Sequence, residues 1–292
     1  MATIVLLLLI SQLINYNLIS CLVTDHQIVT WNSNGYKLPK VFAFLDKNPR
    51  IHSVFVQESG NVESESNNAG TPVPKTNLPK FVIADVEGDI ECTNYADFIK
   101  VKTVTTFQNG PFYIYYSPAS PNVTPKISIT IVSRHLAREI ILFPSQHNHK
   151  SVCHDRAYTN RPIIGLVLQN NQNNQKNYDI ILNIHAEPTR KRNEVITQLK
   201  IIRTYMNTIR KPTSWLLAGD FNQLPEDIIS ELKSQEQIVT PNDNTHATHI
   251  LDFLIYGSPD VQIFSKMKNS QYKGEIVEKD LISDHKAVHF FK

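Results

Sequence analysis

Ser214–Gln223 reads SWLLAGDFNQ, and the rest of the chain is arranged around it. An apolar run, Trp215 to Ala218, stops at Gly219 and is followed at once by Asp220, Phe221 and Asn222. A short apolar run ended by glycine predicts a buried strand. Loops leaving the carboxyl ends of strands are where α/β sheets place their chemistry. Strand alternation predicts that Asp220 and Asn222 face one way and Phe221 the other. A carboxylate and a carboxamide would then share a pocket suited to a hard cation and a water or phosphate oxygen, with the ring anchoring the loop.

The flanking elements extend this reading. His26–Trp31 and Ile51–Val56 predict strands ending at Asn32 and Glu58, separated by a helix over Lys37–Asn48 with Leu38, Val41, Phe42 and Leu45 on one face. Gly60–Pro79 reads as a loop. Further strands are expected at Phe81–Ala84, Val101–Phe107, Phe112–Tyr116, Ile127–Val132, Ile140–Phe143, Ile163–Leu168 and Tyr178–Ile184. Thr189–Arg210 is the clearest helix, with Val195, Leu199, Ile202, Met206 and Ile209 on one face and Thr189 as N-cap. Beyond Ala218 the pattern predicts a helix at Asp227–Leu232 and strands at Ile250–Tyr256, Val261–Phe264 and Ala287–Phe291. Strands in runs with few helices between them predict one α+β domain over residues 23–292, a mixed sandwich rather than a regular doubly wound sheet.

Composition narrows the class. The 292 residues carry a formal charge of +2, so no global basic field announces nucleic acid and any such contact must be local. Residues 1–22 hold an apolar core, Ile4 to Ile10, and small residues at Ser20 and Cys21, the outline of a cleaved secretory signal peptide. Leu18-Ile19-Ser20-Cys21 has the shape of a bacterial lipobox but lacks a basic n-region. Ser11, Gln12, Asn15 and Asn17 interrupt the run before it reaches the roughly 20 residues of a membrane anchor. Cleavage leaves Cys92 and Cys153, which permit one disulfide without requiring it. Asn122-Val123-Thr124 is a glycosylation sequon, meaningful only in a eukaryotic secretory pathway.

Polar residues recur at strand ends: Asn32, Glu58, His185, Asp220 with Asn222, Asp252, and Ser283-Asp284-His285. The stretches that carry them are TWN (Thr30–Asn32), QE (Gln57–Glu58), NIHAEP (Asn183–Pro188), AGDFN (Ala218–Asn222), ILDFLIY (Ile250–Tyr256) and SDH (Ser283–His285). In this order they resemble the endonuclease/exonuclease/phosphatase superfamily, which includes deoxyribonuclease I. PFYIYYS (Pro111–Ser117), ISITIVSR (Ile127–Arg134) and RPIIGL (Arg161–Leu166) are similar to strands of one branch of it, the catalytic chains of the cytolethal distending toxins. The resemblance spans about Gln27 to Phe291 and is weakest from Gly60 to Gln108. The segment between Trp31 and Glu58 is short for that branch, so substrate-edge contacts there are expected to differ.

The resemblance implies a four-layer sandwich, two packed mixed sheets flanked by helices, and a site for phosphodiester hydrolysis. Glu58 would be the principal Mg²⁺ carboxylate (Mn²⁺ or Ca²⁺ being alternatives), with Asn32 and Asp284 near the same ion. Asp220 and Asn222 would orient the attacking water and a phosphate oxygen. His285 paired with Asp252 would be the histidine–carboxylate couple, and His185 would protonate the leaving oxygen or hold the phosphate. Arg161 and Arg134 would contact phosphate. The implied activity is that of a secreted DNase causing DNA damage, reaching the nucleus of a target cell after uptake. A phosphoinositide phosphatase uses the same fold and site, and a non-catalytic binding protein is the third reading. Toxin chains of this kind work with lectin-like partner chains, which this chain does not encode; action alone as a secreted effector is the alternative. Arg190-Lys191-Arg192 fits a DNA-backbone contact, an import signal or a solvated helical turn.

Overall fold

Strand β12 (Thr213–Asp220) is buried along its whole length, and its alternation divides the interior. Leu216 and Ala218 enter the core between two sheets, while Trp215 and Leu217 join a second core on the outer face. The computed structural model describes residues 23–35, 37–60, 71–72, 78–84, 90–91, 100–104, 111–117, 128–143, 161–170, 177–188, 193–209 and 213–292. Residues 1–22, Cys92, Asn122, Cys153, Thr189 and Arg190-Lys191-Arg192 lie outside the described residues.

In chain order the other strands are β1 (Gln27–Asn32), β2 (Ile51–Gln57), β3 (Thr71–Pro72), β4 (Lys80–Ile83), β5 (Ile90–Glu91), β6 (Lys100–Val104), β7 (Phe112–Ser117) and β8 (Ile129–Ser133). Then come β9 (Glu139–Phe143), β10 (Ile163–Asn170), β11 (Asn177–His185), β13 (Glu236–Val239), β14 (Asp252–Gly257), β15 (Lys273–Ile282) and β16 (Lys286–Phe291). The first sheet runs β15-β16-β1-β2-β8-β7-β6-β3 and the second β13-β14-β12-β11-β10-β9-β4-β5, both mixed. Helices α1 (Leu38–Lys47) and α2 (Asn193–Thr208) cover the outer faces. Leu38, Val41, Phe42 and Leu45 of α1 pack with Trp31, Val54 and Val56 of the first sheet. Val195, Leu199 and Ile202 of α2 pack with Ile180, Leu182 and Ile184 of the second. The arrangement is the expected four-layer α+β sandwich, each helix burying the 3.6-period stripe visible in sequence.

Two sequence expectations need correction, and one element was not anticipated. Val261–Phe264 opens a helix, α4 (Val261–Lys268), because Asp260 caps it by accepting from the backbone N–H groups of Gln262 and Ile263 at 2.8 and 3.1 Å. Phe264 and Met267 are its buried positions, i and i+3, a spacing the four-residue apolar run was too short to reveal. The helix expected at Asp227–Leu232 is α3 (Pro225–Ile229), which starts earlier on a proline whose missing N–H is harmless in a first turn. Lys273–Ile282, a stretch with no expected element, is an edge strand rich in charge, the composition that keeps an edge from pairing further.

Gly219 is the position where the backbone has no alternative. It sits at φ +150°, and a Cβ there would lie 1.9 Å from the Ile184 carbonyl oxygen of the neighbouring β11. Gly219→Ala should therefore cost at least the roughly 1–3 kcal/mol of a strained residue, read as a lower urea midpoint. An unchanged midpoint would mean β11 and β12 do not approach this closely.

Candidate active site

Parallel and antiparallel pairing bring the polar strand ends to one edge. β1 and β2 are parallel with Asn32 opposite Gln57, and β11 and β12 are parallel with His185 opposite Asp220. β14 runs antiparallel to β12, placing Asp252, its first residue, opposite Asp220. β16 runs antiparallel to β1, so His285, just before it, arrives at the same edge. Carboxyl ends of four strands thus meet the amino ends of two.

Asp220 Oδ2 is the centre of the cluster. It accepts from Asn32 Nδ2 at 3.0 Å and lies 3.8 Å from Nε2 of His185 and 3.8 Å from Nε2 of His285. Glu58 Oε1 lies 3.9 Å from the same His185 nitrogen. Glu58 itself adopts φ +51°, a strained turn that lifts its half-buried side chain off the end of β2. The other oxygen of Asp220 accepts from the Asn222 N–H at 2.9 Å. Asn222 also has positive φ, +49°, so β12 has already ended; its side-chain amide donates to the Ala186 carbonyl at 2.8 Å. Phe221 turns inward as expected and stacks on Phe253 with centroids 3.9 Å apart.

Two hydroxyls, Thr245, which had no sequence signal, and Ser283, noted only as part of the SDH motif, fix the histidine couple. Thr245 Oγ1 accepts from the N–H groups of Leu251 and Asp252 at 2.9 and 3.0 Å. Ser283 Oγ receives Trp31 Nε1 and the His285 N–H, both at 3.1 Å, and donates to the Asn32 carbonyl. Between them His285 Nδ1 meets Asp252 Oδ2 at 2.8 Å. Thr245 is far from Ser283 in sequence, and only the fold relates them. Another histidine, His246, lies against His285 with centroids 4.5 Å apart and likewise had no sequence signal.

Proton affinities diverge across the cluster. Burial raises the Asp220 carboxyl above the usual range, and the charge of Asp252 pushes the same way. Burial pulls His285 down, but its hydrogen bond to Asp252 and the charges of Asp252, Asp220 and Asp284 outweigh it, so its pKa rises to about 9. His185 is held well below the ordinary imidazole value by burial, then by the Arg161 and His285 charges. His185 Nδ1 and Asp252 Oδ1 are buried without a hydrogen-bond partner among the described residues.

The two expected phosphate arginines separate. Arg161 precedes β10, which is antiparallel to β11, and its Nη1 donates to the Ala186 carbonyl at 2.7 Å. Asp220, Glu194, Glu58 and Glu187 all act on its charge, so it belongs to the site. Arg134 does not. It follows β8, which is antiparallel to β2 with Ser133 opposite Ser53, so it emerges at the far end of β2. That end is about 20 Å from Gln57 at the rise of a strand. There Nε donates to the Ile51 carbonyl at 2.9 Å and Nη2 to the carbonyls of Leu45 and Asn48, while the guanidinium covers Phe112 at 5.1 Å. Arg134 ties the end of α1 to the start of β2. Asp284 is exposed, and its carboxylate groups with His246 and His285.

Comparison with known proteins identifies the fold. No family model matches the chain. It is 25% identical over 288 residues to a Salmonella typhi homolog of CdtB, covering 92% of this chain and 90% of that protein. The solved structure of CdtB, the biologically active subunit of cytolethal distending toxin, superposes with a TM-score of 0.65 at 18% identity, over 94% of this chain and 99% of that one. An endonuclease/exonuclease/phosphatase family protein from Leptotrichia buccalis aligns with a TM-score of 0.54 at 14% identity, over 91% and 98%. The fold is that of the endonuclease/exonuclease/phosphatase, or deoxyribonuclease I-like, proteins. Within that class, sequence and structure are similar to CdtB of the cytolethal distending toxins.

The divergence of the histidines and of the arginines can each be measured. In chelator-treated protein, His285 should titrate near 9 by NMR, and Asp252→Asn should bring that midpoint down toward the usual imidazole range. Its folded affinity for a proton exceeds the unfolded value, so this couple stabilises fully below about pH 6.5. That contribution is lost as pH rises through about 9. A wild-type midpoint below 6.5 would contradict the pairing. Arg134→Ala should lower stability by about 1–3 kcal/mol, since buried carbonyls lose their donor, and leave the His285 titration unmoved.

Proposed function

We propose that the protein is a divalent-cation-dependent phosphodiesterase that cleaves DNA, of the CdtB type. The observation that carries this is the convergence of Glu58, Asp220, Asp252, two imidazoles and the Arg161 guanidinium on one strand-end edge. The donor set fits a hard cation. Glu58, Asn32 and Asp220 offer oxygens, and burial together with the Asp252 charge raises the Asp220 carboxyl, a cost that a cation beside it would relieve. Glu58 would be the principal ligand, with Asn32 beside it, whereas Asp284, expected at the same ion, groups with His246 and His285; Mg²⁺ suits the oxygen donors, as do Mn²⁺ and Ca²⁺. The ion, when bound, neutralises charge on the scissile phosphate and favours ionisation of water.

The side chains supply the rest. Asp220 and Asn222 position the attacking water and a phosphate oxygen. His285, held protonated by Asp252, is the group able to give a proton to the leaving oxygen; this part passes to it from His185. Neutral His185 hydrogen-bonds the phosphate beside Glu58. Arg161 holds phosphate by its guanidinium, a geometry suited to paired oxygens. Residues 1–22 as a cleaved leader, secretion, and entry into a target cell with or without delivery partners complete the proposal. Among the described residues no helix is long and apolar enough to cross a membrane.

The decisive assay pairs supercoiled-plasmid nicking with phosphate release from phosphoinositides, each with Mg²⁺ and with EDTA. Nicking should require the cation, and Glu58→Gln should lower it by about a hundredfold or more with little change in melting temperature. His285→Ala should cost the roughly 10²–10⁴-fold of acid–base catalysis and leave DNA affinity nearly intact. Arg161→Ala should weaken both. Full nicking in EDTA would sink the cation-dependent mechanism, and phosphate release without nicking would make the lipid headgroup the substrate.

A further inference from the structure

We propose that His246, Asp284 and His285 form a second cation site, suited to a borderline transition ion of the Zn²⁺ kind, through which that ion switches off the neighbouring chemistry. The inhibitory part rests on the reading of His285 as a catalytic residue; the binding part does not. One ligand atom from each of the three residues lies within 4.8 Å of the others. Two imidazole nitrogens and a carboxylate oxygen suit Zn²⁺, whereas the all-oxygen donors around Glu58 suit a harder ion.

The placement of His246 is built into the fold. Its backbone bridges to both His249 and His285, with reciprocal N–H to carbonyl bonds to His249 at 3.0 and 2.8 Å. Next to it, the Lys286 N–H donates to the Thr245 carbonyl at 2.7 Å, locking the His246 loop to the start of β16. The two rings lie at 4.5 Å, tilted by 32°.

A second, independent feature is the partner behind His285. Its Nδ1 is engaged by the fully buried Asp252 at 2.8 Å. A carboxylate holding one imidazole nitrogen so that the other faces a metal is the usual support of a histidine ligand. Nε2 is the nitrogen left, and it is also the one 3.8 Å from Asp220. An ion on Nε2 therefore takes the nitrogen that would hand over a proton. Asp284 is exposed, so the site opens to solvent and an ion can reach it without the chain unfolding.

The test uses chelator-treated, dialysed full-length protein. Titration calorimetry with ZnCl₂ should show a site that weakens by about tenfold or more in His246→Ala and in His246→Gln. His249→Ala, next to the site but outside it, should bind as wild type does. Co²⁺ should give the intense visible absorption of a four-coordinate site in wild type and lose it in both His246 variants. In Mg²⁺-supported nicking, His246→Ala should match wild type without Zn²⁺ and need about tenfold more Zn²⁺ for half inhibition. Zn²⁺ binding and inhibition equal in wild type and the His246 variants would report other histidines and overturn the proposal. If nothing nicks plasmid but Zn²⁺ affinity still depends on His246, the cation site stands and the nuclease reading falls.

Discussion

Gln57 Nε2 donates to Asn183 Oδ1 at 2.6 Å, and this contact sets the height of one sheet against the other. Both side chains are fully buried in an otherwise apolar interface. Gln57 also bonds Thr30 at 3.0 Å within its own sheet, and Asn183 donates to the Thr130 carbonyl at 3.0 Å across the gap. Apolar residues would fill the space as well, since a satisfied buried polar pair adds little net stability over a good hydrophobic contact. What the amides add is register. Leucines and isoleucines tolerate a slide of the sheets, whereas buried amides leave donors unpaired if the sheets move. Glu58 follows Gln57 directly and His185 lies two residues beyond Asn183, so the 3.9 Å between Glu58 and His185 is inherited from this tie.

The same logic extends along the second sheet. Gly219 lets β12 press against the Ile184 carbonyl, and one residue later Asp220 emerges opposite His185. A side chain at 219 would push β12 outward and carry Asp220 away from both imidazoles. Phe221, stacked on Phe253, then holds the turn down while Asp220 and Asn222 remain at the edge. Backbone permissiveness at one position and aromatic packing two positions on together determine where a carboxylate sits to within a hydrogen-bond length.

Much of this was legible in sequence because strand ends announce themselves. Apolar runs ended by glycine or a polar residue marked the strands that position Asn32, Glu58, His185 and Asp220, and helical spacing marked the faces of α1 and α2. Strand direction is another matter. A terminal arginine looks the same whether its strand points toward the site or away, and β8 points away, which put Arg134 under α1. β15 escaped notice because its charged, half-exposed residues carry no apolar period. His246 and Thr245 were invisible for a third reason: their value lies in a loop crossing onto β16, a contact between residues about forty apart. Local pattern reports elements, and only pairing reports which ends meet.

Charge then separates two chemically identical side chains. His185 is buried at the end of a central strand facing Arg161, and desolvation with like charge leaves its neutral form favoured. His285 enters from the edge, where Asp252 sits fully buried behind it and Asp220 and Asp284 lie on either side. Burial alone would lower both. At His285 the carboxylates of Asp252, Asp220 and Asp284 reverse that effect, while at His185 the Arg161 charge adds to it. The difference follows from which strand end each histidine occupies. The His285 pKa rises because Thr245, by capping the N–H groups of Leu251 and Asp252, fixes the start of β14 at the depth where the Asp252 carboxylate meets Nδ1.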